Sequence, residues 1–170
     1  MVYLTQNVLS IITRCKYRNG LSSFTFCETE KTTMSPVNEK NIKHNIESPD
    51  TIKADMLECI EYEFKSRRDI DIVIQQPEYT SLCPISGLPD VGCIIIKYRP
   101  DTKIVELKSL KYYLLQYRNV GIFYESLVNR ILNDLVSVLA PKFMEVTGDF
   151  TARGGITTTV TAVFQGKNSE

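Results

Sequence analysis

The sequence has very few of the residues on which the commonest catalytic arrangements depend. Its 170 residues include a single histidine, His44, which lies in a polar segment typical of solvated surface. Ser-His-Asp and Cys-His catalysis both require a histidine base beside the nucleophile. We therefore do not expect either mechanism in this protein.

The cysteines are also few, and their spacing suggests no pairing. There are five, an odd number, widely separated and without any Cys-x-x-Cys motif. This pattern argues against a disulfide framework and against a zinc site. We therefore expect no bound metal and a reducing, cytoplasmic location. The cysteines are Cys15, Cys27, Cys59, Cys83 and Cys93.

Net charge and long apolar runs are absent as well. The 20 basic residues balance the 20 acidic ones, which leaves no electrostatic reason to expect direct binding of nucleic acid. The longest early apolar run, residues 8–12, is too short to span a bilayer and lacks a signal-peptide layout. A small molecule or a protein surface is the expected partner, and no membrane association is expected.

The length and the 43% hydrophobic content suit one domain with a sizeable core. Residues 22–50 mix polar side chains without helical or alternating periodicity, whereas periodicity begins after residue 50. We therefore predict a poorly ordered extension over residues 1–50 and a folded domain over residues 51–170.

Periodicity within that domain predicts strands and helices. Residues 70–74 and 91–98 are rich in β-branched side chains, as strands are, and residues 103–107 alternate like the return strand of a hairpin. Ser109 is a candidate N-cap for a first helix. A second helix carries an apolar stripe and ends at Pro141. The stripe consists of Val128, Ile131, Leu132, Leu135 and Leu139.

Two closing strands, residues 143–150 and 156–164, flank a turn at residues 153–155. This order of elements predicts an α+β fold in which two helices cover one face of a four-stranded antiparallel sheet. Such a sheet has exposed edges, which copies of the subunit can cover by closing into a ring. Ligand sites would then lie between subunits.

The loop after the first strand contains the best candidates for chemistry. Cys83 lies in a turn-prone segment with Pro84 and Gly87, and Asp90 follows seven positions later. A cysteine is reactive only if it ionises near neutral pH, which requires a cationic or dipolar neighbour. Asp90 is a candidate general acid, although a carboxylate at the start of a strand is most often a turn residue.

Three other places have both a functional and an ordinary interpretation. Residues 106–111 are either the ordinary start of an amphipathic helix or a binding site. Such a site would offer a carboxylate for a ligand's N–H groups and a basic helix N-terminus for a phosphate. Arg153 and Gly154 are either part of an ordinary turn or part of a ligand site. In a ligand site, Arg153 would supply a positive charge and Gly154 would let the ligand approach the backbone closely. Glu125 is either a surface charge or a bidentate acceptor for the edge of a purine.

Together these motifs resemble one family. They are residues 80–84 with Gly87 and Asp90, residues 106–113, residues 117–119, and residues 148–150 with residues 153–155. In this order, from about residue 70 to residue 164, they are similar to the NADPH-dependent 7-cyano-7-deazaguanine reductases, the nitrile reductases of queuosine biosynthesis.

The resemblance implies a tunnelling fold, shared with GTP cyclohydrolase I, and a ring with active sites between neighbouring subunits. It implies that Cys83 attacks the nitrile carbon of 7-cyano-7-deazaguanine to form a covalent thioimide, with Asp90 as the proton donor. Two hydride transfers from NADPH would then produce the aminomethyl product.

The resemblance also implies which residues bind. Val105, Glu106 and Leu107 would line the substrate site, with Glu125 holding the deazapurine base. Many relatives have a histidine at the position before that glutamate, where this chain has Tyr124, which keeps an aromatic face and a hydroxyl for base binding. The residues expected to contact the cofactor are Leu107, Lys108, Arg153 and Gly154.

Two alternatives stay open. One is an amidine-forming relative of the same fold, which forms the thioimide but adds ammonia or an amide nitrogen to a nitrile on tRNA. Such an enzyme would lack the cofactor segment. The other is a ring protein that binds purines without catalysis, in which Cys83 has no chemical role.

Overall fold

A computed structural model of the protein describes residues 45–166. His44, Cys15 and Cys27 lie outside the described residues, as does most of the predicted extension. Within residues 45–50, Glu47 forms a parallel bridge with Val120. The Glu47 N–H donates to the Asn119 carbonyl at 2.8 Å, and its carbonyl accepts from the Gly121 N–H at 3.0 Å. The domain boundary at residue 50 stays a prediction.

The described residues form six strands and two α-helices, with two short 3₁₀ helices before the first strand and a third between the two α-helices. The order is β1 (Cys59–Glu61), β2 (Ile72–Leu82), β3 (Pro89–Arg99), β4 (Lys103–Val105), α1 (Leu107–Leu115), α2 (Tyr124–Leu139), β5 (Phe143–Arg153) and β6 (Ile156–Gln165). The main sheet has four antiparallel strands in the order β2-β3-β5-β6. The predicted α+β fold with a four-stranded antiparallel sheet is confirmed.

The central strand β3 shows why the helices lie on one face. Its side chains alternate, so that Asp90, Gly92, Ile94, Ile96 and Tyr98 are buried while the residues between them are exposed or half-buried. Successive side chains of a strand point to opposite faces of the sheet, so one face joins the core. The other face has no covering layer within the described residues.

Helix α2 supplies most of the covering layer. The predicted apolar stripe is confirmed, since all five of its residues are buried, together with Leu127. The helix ends where Ala140 adopts a left-handed conformation with φ 45°, directly before Pro141. Proline has no N–H and fixes its own φ, so it cannot continue the helix. Pro141 therefore ends α2, as the sequence predicts.

One predicted pairing is wrong. Strand β4 does not form a hairpin with β3 but pairs with β1 in a separate two-stranded sheet, where Cys59 lies opposite Val105. The strand also ends at Val105, and α1 begins at Leu107 rather than after Ser109. The actual N-cap is Glu106, whose carboxylate accepts from the N–H groups of Lys108 and Ser109.

Within the described part of the chain, no helix combines the length and the apolar character needed to cross a membrane.

Candidate active site

The loop between β2 and β3 closes on itself through backbone hydrogen bonds. The Cys83 N–H donates to the Leu88 carbonyl at 2.9 Å, and the Gly87 N–H donates to the Cys83 carbonyl at 2.8 Å. Gly87 has φ 69°, a left-handed conformation that glycine adopts without steric cost. Strand pairing then places Asp90 opposite Ser81. Cys83 and Asp90 therefore lie at the same end of this hairpin.

The Cys83 thiol has the neighbours that a reactive cysteine needs. Its pKa is lowered to about 7, chiefly by the hydroxyl and backbone N–H of Ser86. Burial opposes this shift, while the Arg153 guanidinium and the Ile85 N–H add smaller contributions in the same direction. A thiol with this pKa is about half thiolate at neutral pH, and the thiolate is the nucleophile.

Asp90 is almost fully buried, with 3% of its surface exposed. Its Oδ1 atom accepts two hydrogen bonds, from Nη1 of Arg153 at 2.6 Å and from the hydroxyl of Tyr124 at 2.7 Å. The Oδ2 atom accepts no hydrogen bond from the described residues. These hydrogen bonds therefore fix one oxygen of the carboxyl group and leave the other oxygen without a donor among the described residues.

Arg153 connects the carboxyl group with the cysteine loop. It lies at the end of β5, and its Nη2 atom donates to the Ser86 hydroxyl at 3.2 Å. Hydrogen bonds to Cys83 and Tyr124, together with the charge of Asp90, raise the pKa of Arg153 above its ordinary value. A permanent positive charge therefore faces both candidate catalytic groups.

Tyr124 is the first residue of α2, and its ring stacks on Phe150 with centroids 3.7 Å apart and planes 9° from parallel. Two glycines make room for the Phe150 ring. A Cβ atom at Gly92 would lie 2.9 Å from Phe150 Cδ1, and one at Gly148 would lie 2.7 Å from Phe150 Cζ, closer than real Cβ atoms approach. The pKa of Tyr124 is raised, chiefly by burial and secondly by the hydrogen bond to Asp90, so its hydroxyl stays protonated.

The structure separates the predicted site residues into two groups within one chain. The first, which we call the cysteine group, contains Cys83, Asp90, Tyr124 and Arg153, with the exposed Glu125 and Gly154 adjacent in sequence. The second, which we call the helix-start group, contains Val105, Glu106, Leu107 and Lys108 around the beginning of α1.

The two groups lie at opposite ends of β3. The Val105 N–H donates to the Tyr98 hydroxyl at 3.2 Å, so the helix-start group lies near Tyr98. Tyr98 is eight residues further along β3 than Asp90. At ~3.3 Å per residue, this separation along the strand is about 26 Å. One subunit alone therefore does not bring the two groups together.

The helix-start group differs from the expected phosphate site in one respect. Glu106 Oε1 accepts from the Lys108 N–H at 2.9 Å, and Oε2 accepts from the Ser109 N–H at 2.6 Å. These bonds lower the pKa of Glu106 and occupy two N–H groups that a phosphate would use. The side chains of Lys108 and Lys111 are exposed, so they carry the available positive charge.

Ser86 and Phe150 were not predicted as site residues. A serine three positions after a cysteine in a turn is a detectable pattern, because hydroxyls in turns bond to nearby groups. Phe150 offers no comparable pattern, since it contributes by packing, beneath Tyr124 and against Tyr79.

Comparison with solved structures identifies the fold. The crystal structure of the archaeosine synthase QueF-Like in the apo form superposes with a TM-score of 0.52, over 60% of this chain and 98% of that one. The sequence identity is 24%, so the likeness concerns the fold alone. The chain has the tunnelling fold. In this chain a buried carboxylate, an arginine and a cysteine meet at one end of the main sheet.

Comparison with known sequences identifies the family. The family model described as QueF-like protein matches residues 89–169. The NADPH-dependent 7-cyano-7-deazaguanine reductase of Chloroherpeton thalassium is 52% identical over 67% of this chain and 97% of its own length. Proteins of the same name from Chlorobium phaeobacteroides and Caldicellulosiruptor bescii are each 53% identical, over 99% and 86% of their lengths. The chain belongs to this reductase family, as its motifs predicted.

Proposed function

We propose that this protein reduces the nitrile group of 7-cyano-7-deazaguanine to an aminomethyl group, with NADPH as the reductant. Its relatives, about half identical to it, are named for NADPH-dependent action on 7-cyano-7-deazaguanine. The observation in the structure that carries the proposal is the Cys83 thiol, whose pKa of about 7 supplies a thiolate at the same end of the sheet as Asp90.

Cys83 is the proposed nucleophile. Its thiolate forms a C–S bond to the nitrile carbon, and one π bond of the nitrile breaks. The electron pair moves to the nitrogen, which takes a proton from Asp90. The product is a thioimide on Cys83, whose C=N bond accepts hydride more readily than a nitrile does.

NADPH, when bound, supplies the two hydrides of this four-electron reduction. Asp90, after taking up a proton from solvent, would give the nitrogen its second proton when the first hydride reaches the carbon. The second hydride would then complete the amine without a further proton. The C–S bond breaks between the two reductions, and its electron pair returns to Cys83 as thiolate. The positive charge of Arg153 lies beside both Cys83 and Asp90, and so stabilises the thiolate at this step.

The chain has groups that fit a dinucleotide phosphate. Lys108 is exposed at the start of α1, and Leu107 offers an apolar surface that is 61% exposed. Gly154 has φ 58°, and no atom lies within 4 Å of where its Cβ would be, so a ligand can approach its backbone closely. We propose that these residues, with Arg153, bind the cofactor, and that Val105, Glu106, Leu107, Tyr124 and Glu125 bind the substrate.

The proposed division of roles requires more than one subunit. Hydride must reach the carbon bonded to Cys83, whereas Lys108 belongs to the helix-start group, near Tyr98, which is about 26 Å along β3 from Asp90. We propose that copies assemble into a ring in which the helix-start group of one subunit completes the cysteine group of its neighbour.

Two features of the sheet support assembly. Apart from a bridge between Leu82 and Gly121, its outer strands, β2 and β6, have no further strand partner among the described residues. Its uncovered face exposes apolar side chains, including Val73 at 54% and Val163 at 51%. Unpaired edges and exposed apolar surface both favour association with further copies.

The cytoplasmic location stays a prediction from the sequence.

The test follows the intact mass of the purified protein mixed with 7-cyano-7-deazaguanine, and then the absorbance of added NADPH. We expect an adduct that is absent in Cys83→Ala and present in the matched control Cys93→Ala, followed by NADPH oxidation. An adduct without NADPH oxidation would instead indicate the amidine-forming alternative. No adduct in the wild-type protein would indicate the purine-binding alternative.

A further inference from the structure

We infer that Tyr124 is a positioning residue for the proton donor Asp90, and that the proton leaves from Oδ2 of this carboxyl group. This inference rests on the proposed reduction and assigns Tyr124 a role beyond substrate contact. The observation behind it is the 2.7 Å hydrogen bond that the Tyr124 hydroxyl donates to Asp90 Oδ1.

The hydrogen bonds around Asp90 identify the reactive oxygen. A carboxyl oxygen has two lone pairs, and those of Oδ1 are both occupied, by Tyr124 and by Nη1 of Arg153. A proton carried by Asp90 therefore resides on Oδ2, which accepts no hydrogen bond from the described residues. Two donors on one oxygen also fix the rotation of the carboxyl group, so Oδ2 is presented in a constant direction.

The position of the Tyr124 hydroxyl is itself determined by packing. The ring is stacked on Phe150, which is 3% exposed and lies on the helix-covered face of β5. Gly92 on β3 and Gly148 on β5 leave the space that the Phe150 ring fills. The start of α2 and two neighbouring strands thus jointly hold one hydroxyl against Asp90.

The test compares Tyr124→Phe with the wild-type protein. Phenylalanine keeps the stacked ring but removes the donor. A hydrogen bond to a charged group typically changes a rate or an affinity by about 10- to 100-fold. In Tyr124→Phe the lost hydrogen bond is the one to Asp90, so the step that slows is proton transfer from Asp90. We expect kcat to fall by that factor, while KM for 7-cyano-7-deazaguanine changes less than about threefold and the melting temperature is retained.

Two further variants separate positioning from substrate contact. Tyr124→His restores a donor at this position, so its kcat should exceed that of Tyr124→Phe. In an Asp90→Asn background, Tyr124→Phe should have no additional effect on the single-turnover rate, because Tyr124 acts through Asp90. Tyr62→Phe is the matched control, since it removes a tyrosine hydroxyl whose hydrogen bond among the described residues is to the Arg68 carbonyl, outside both site groups, and we expect wild-type kcat.

The possible outcomes are distinct. A rise in KM with unchanged kcat would mean that Tyr124 only contacts the substrate, and unchanged kinetics would mean that its hydroxyl has no role. Equal effects of Tyr124→Phe with and without Asp90→Asn would also overturn the inference. Failure of the wild-type protein to oxidise NADPH with the nitrile would refute the proposed function instead.

Discussion

The reactivity of Cys83 should depend on the hydroxyl of one neighbouring residue, Ser86. The pKa of Cys83 is about 7, and the largest cause of its lowering is the hydrogen bond from this hydroxyl. We therefore expect Ser86→Ala to raise the pKa of Cys83 substantially, and Ser86→Thr, which keeps a hydroxyl, to leave it near 7.

The size of the effect follows from the fraction of thiolate. With a pKa of about 7, roughly half of the thiol is ionised at pH 7, whereas a rise of about one unit leaves roughly a tenth ionised. The alkylation rate at pH 7 should then fall about fivefold in Ser86→Ala. Above about pH 9.5 the two proteins should react at similar rates, because both thiols are ionised.

The assay is alkylation by iodoacetamide from pH 5 to pH 10, with modification of each cysteine followed by peptide mass spectrometry. Cys59 is exposed and serves as an internal reference for reagent reactivity. An alkylation curve for Ser86→Ala with its midpoint still at about pH 7 would refute the reasoning. The lowered pKa would then have to come from Arg153 and the backbone N–H groups.

The other predictions concern assembly, cofactor binding and the core. Lys108→Ala should raise KM for NADPH at least tenfold while leaving thioimide formation intact by mass, and equal loss of both would contradict the proposed roles. If sites form between subunits, mixing and reassembling the Cys83→Ala and Lys108→Ala proteins, assayed at an NADPH concentration too low for Lys108→Ala alone, should restore up to about a quarter of the wild-type activity, and no recovery would argue against shared sites. Leu135→Ala, at a fully buried position of α2, should lower the free energy of unfolding by about 2–5 kcal/mol in urea titrations, whereas the half-exposed Leu88→Ala should change it far less.

Elements with strong periodicity could be predicted from the sequence. The apolar stripe of α2, the β-branched residues of β3 and the turn at Gly154 each depend on short-range preferences, and all three occur where expected. The region from residue 103 to residue 109 was predicted less well. Its alternation fits a strand. In the structure, however, the Glu106 carboxylate accepts hydrogen bonds from two N–H groups, so α1 starts earlier than predicted. Local patterns do not indicate which of two competing hydrogen-bonding arrangements prevails.

The partner of β4 could not be predicted either. A strand of three residues, Lys103–Val105, carries too little alternation to specify its neighbour. It pairs with β1, which is more than 40 residues earlier in the chain. Pairing over such a distance depends on how the whole domain closes, and the two strands alone do not determine it.

By itself, the sequence determined the fold class, the family and the two groups expected to do chemistry, Cys83 and Asp90. These conclusions depend on residue types at short spacing, which the chain preserves whatever its conformation. Only the tertiary structure decided what surrounds them. Arg153 reaches Asp90 across 63 positions, and Tyr124 reaches it across 34, because sheet register and helix packing bring their polar atoms within 2.7 Å of one oxygen. Hydrogen bonds at such separations are set by three-dimensional packing, which no local pattern encodes.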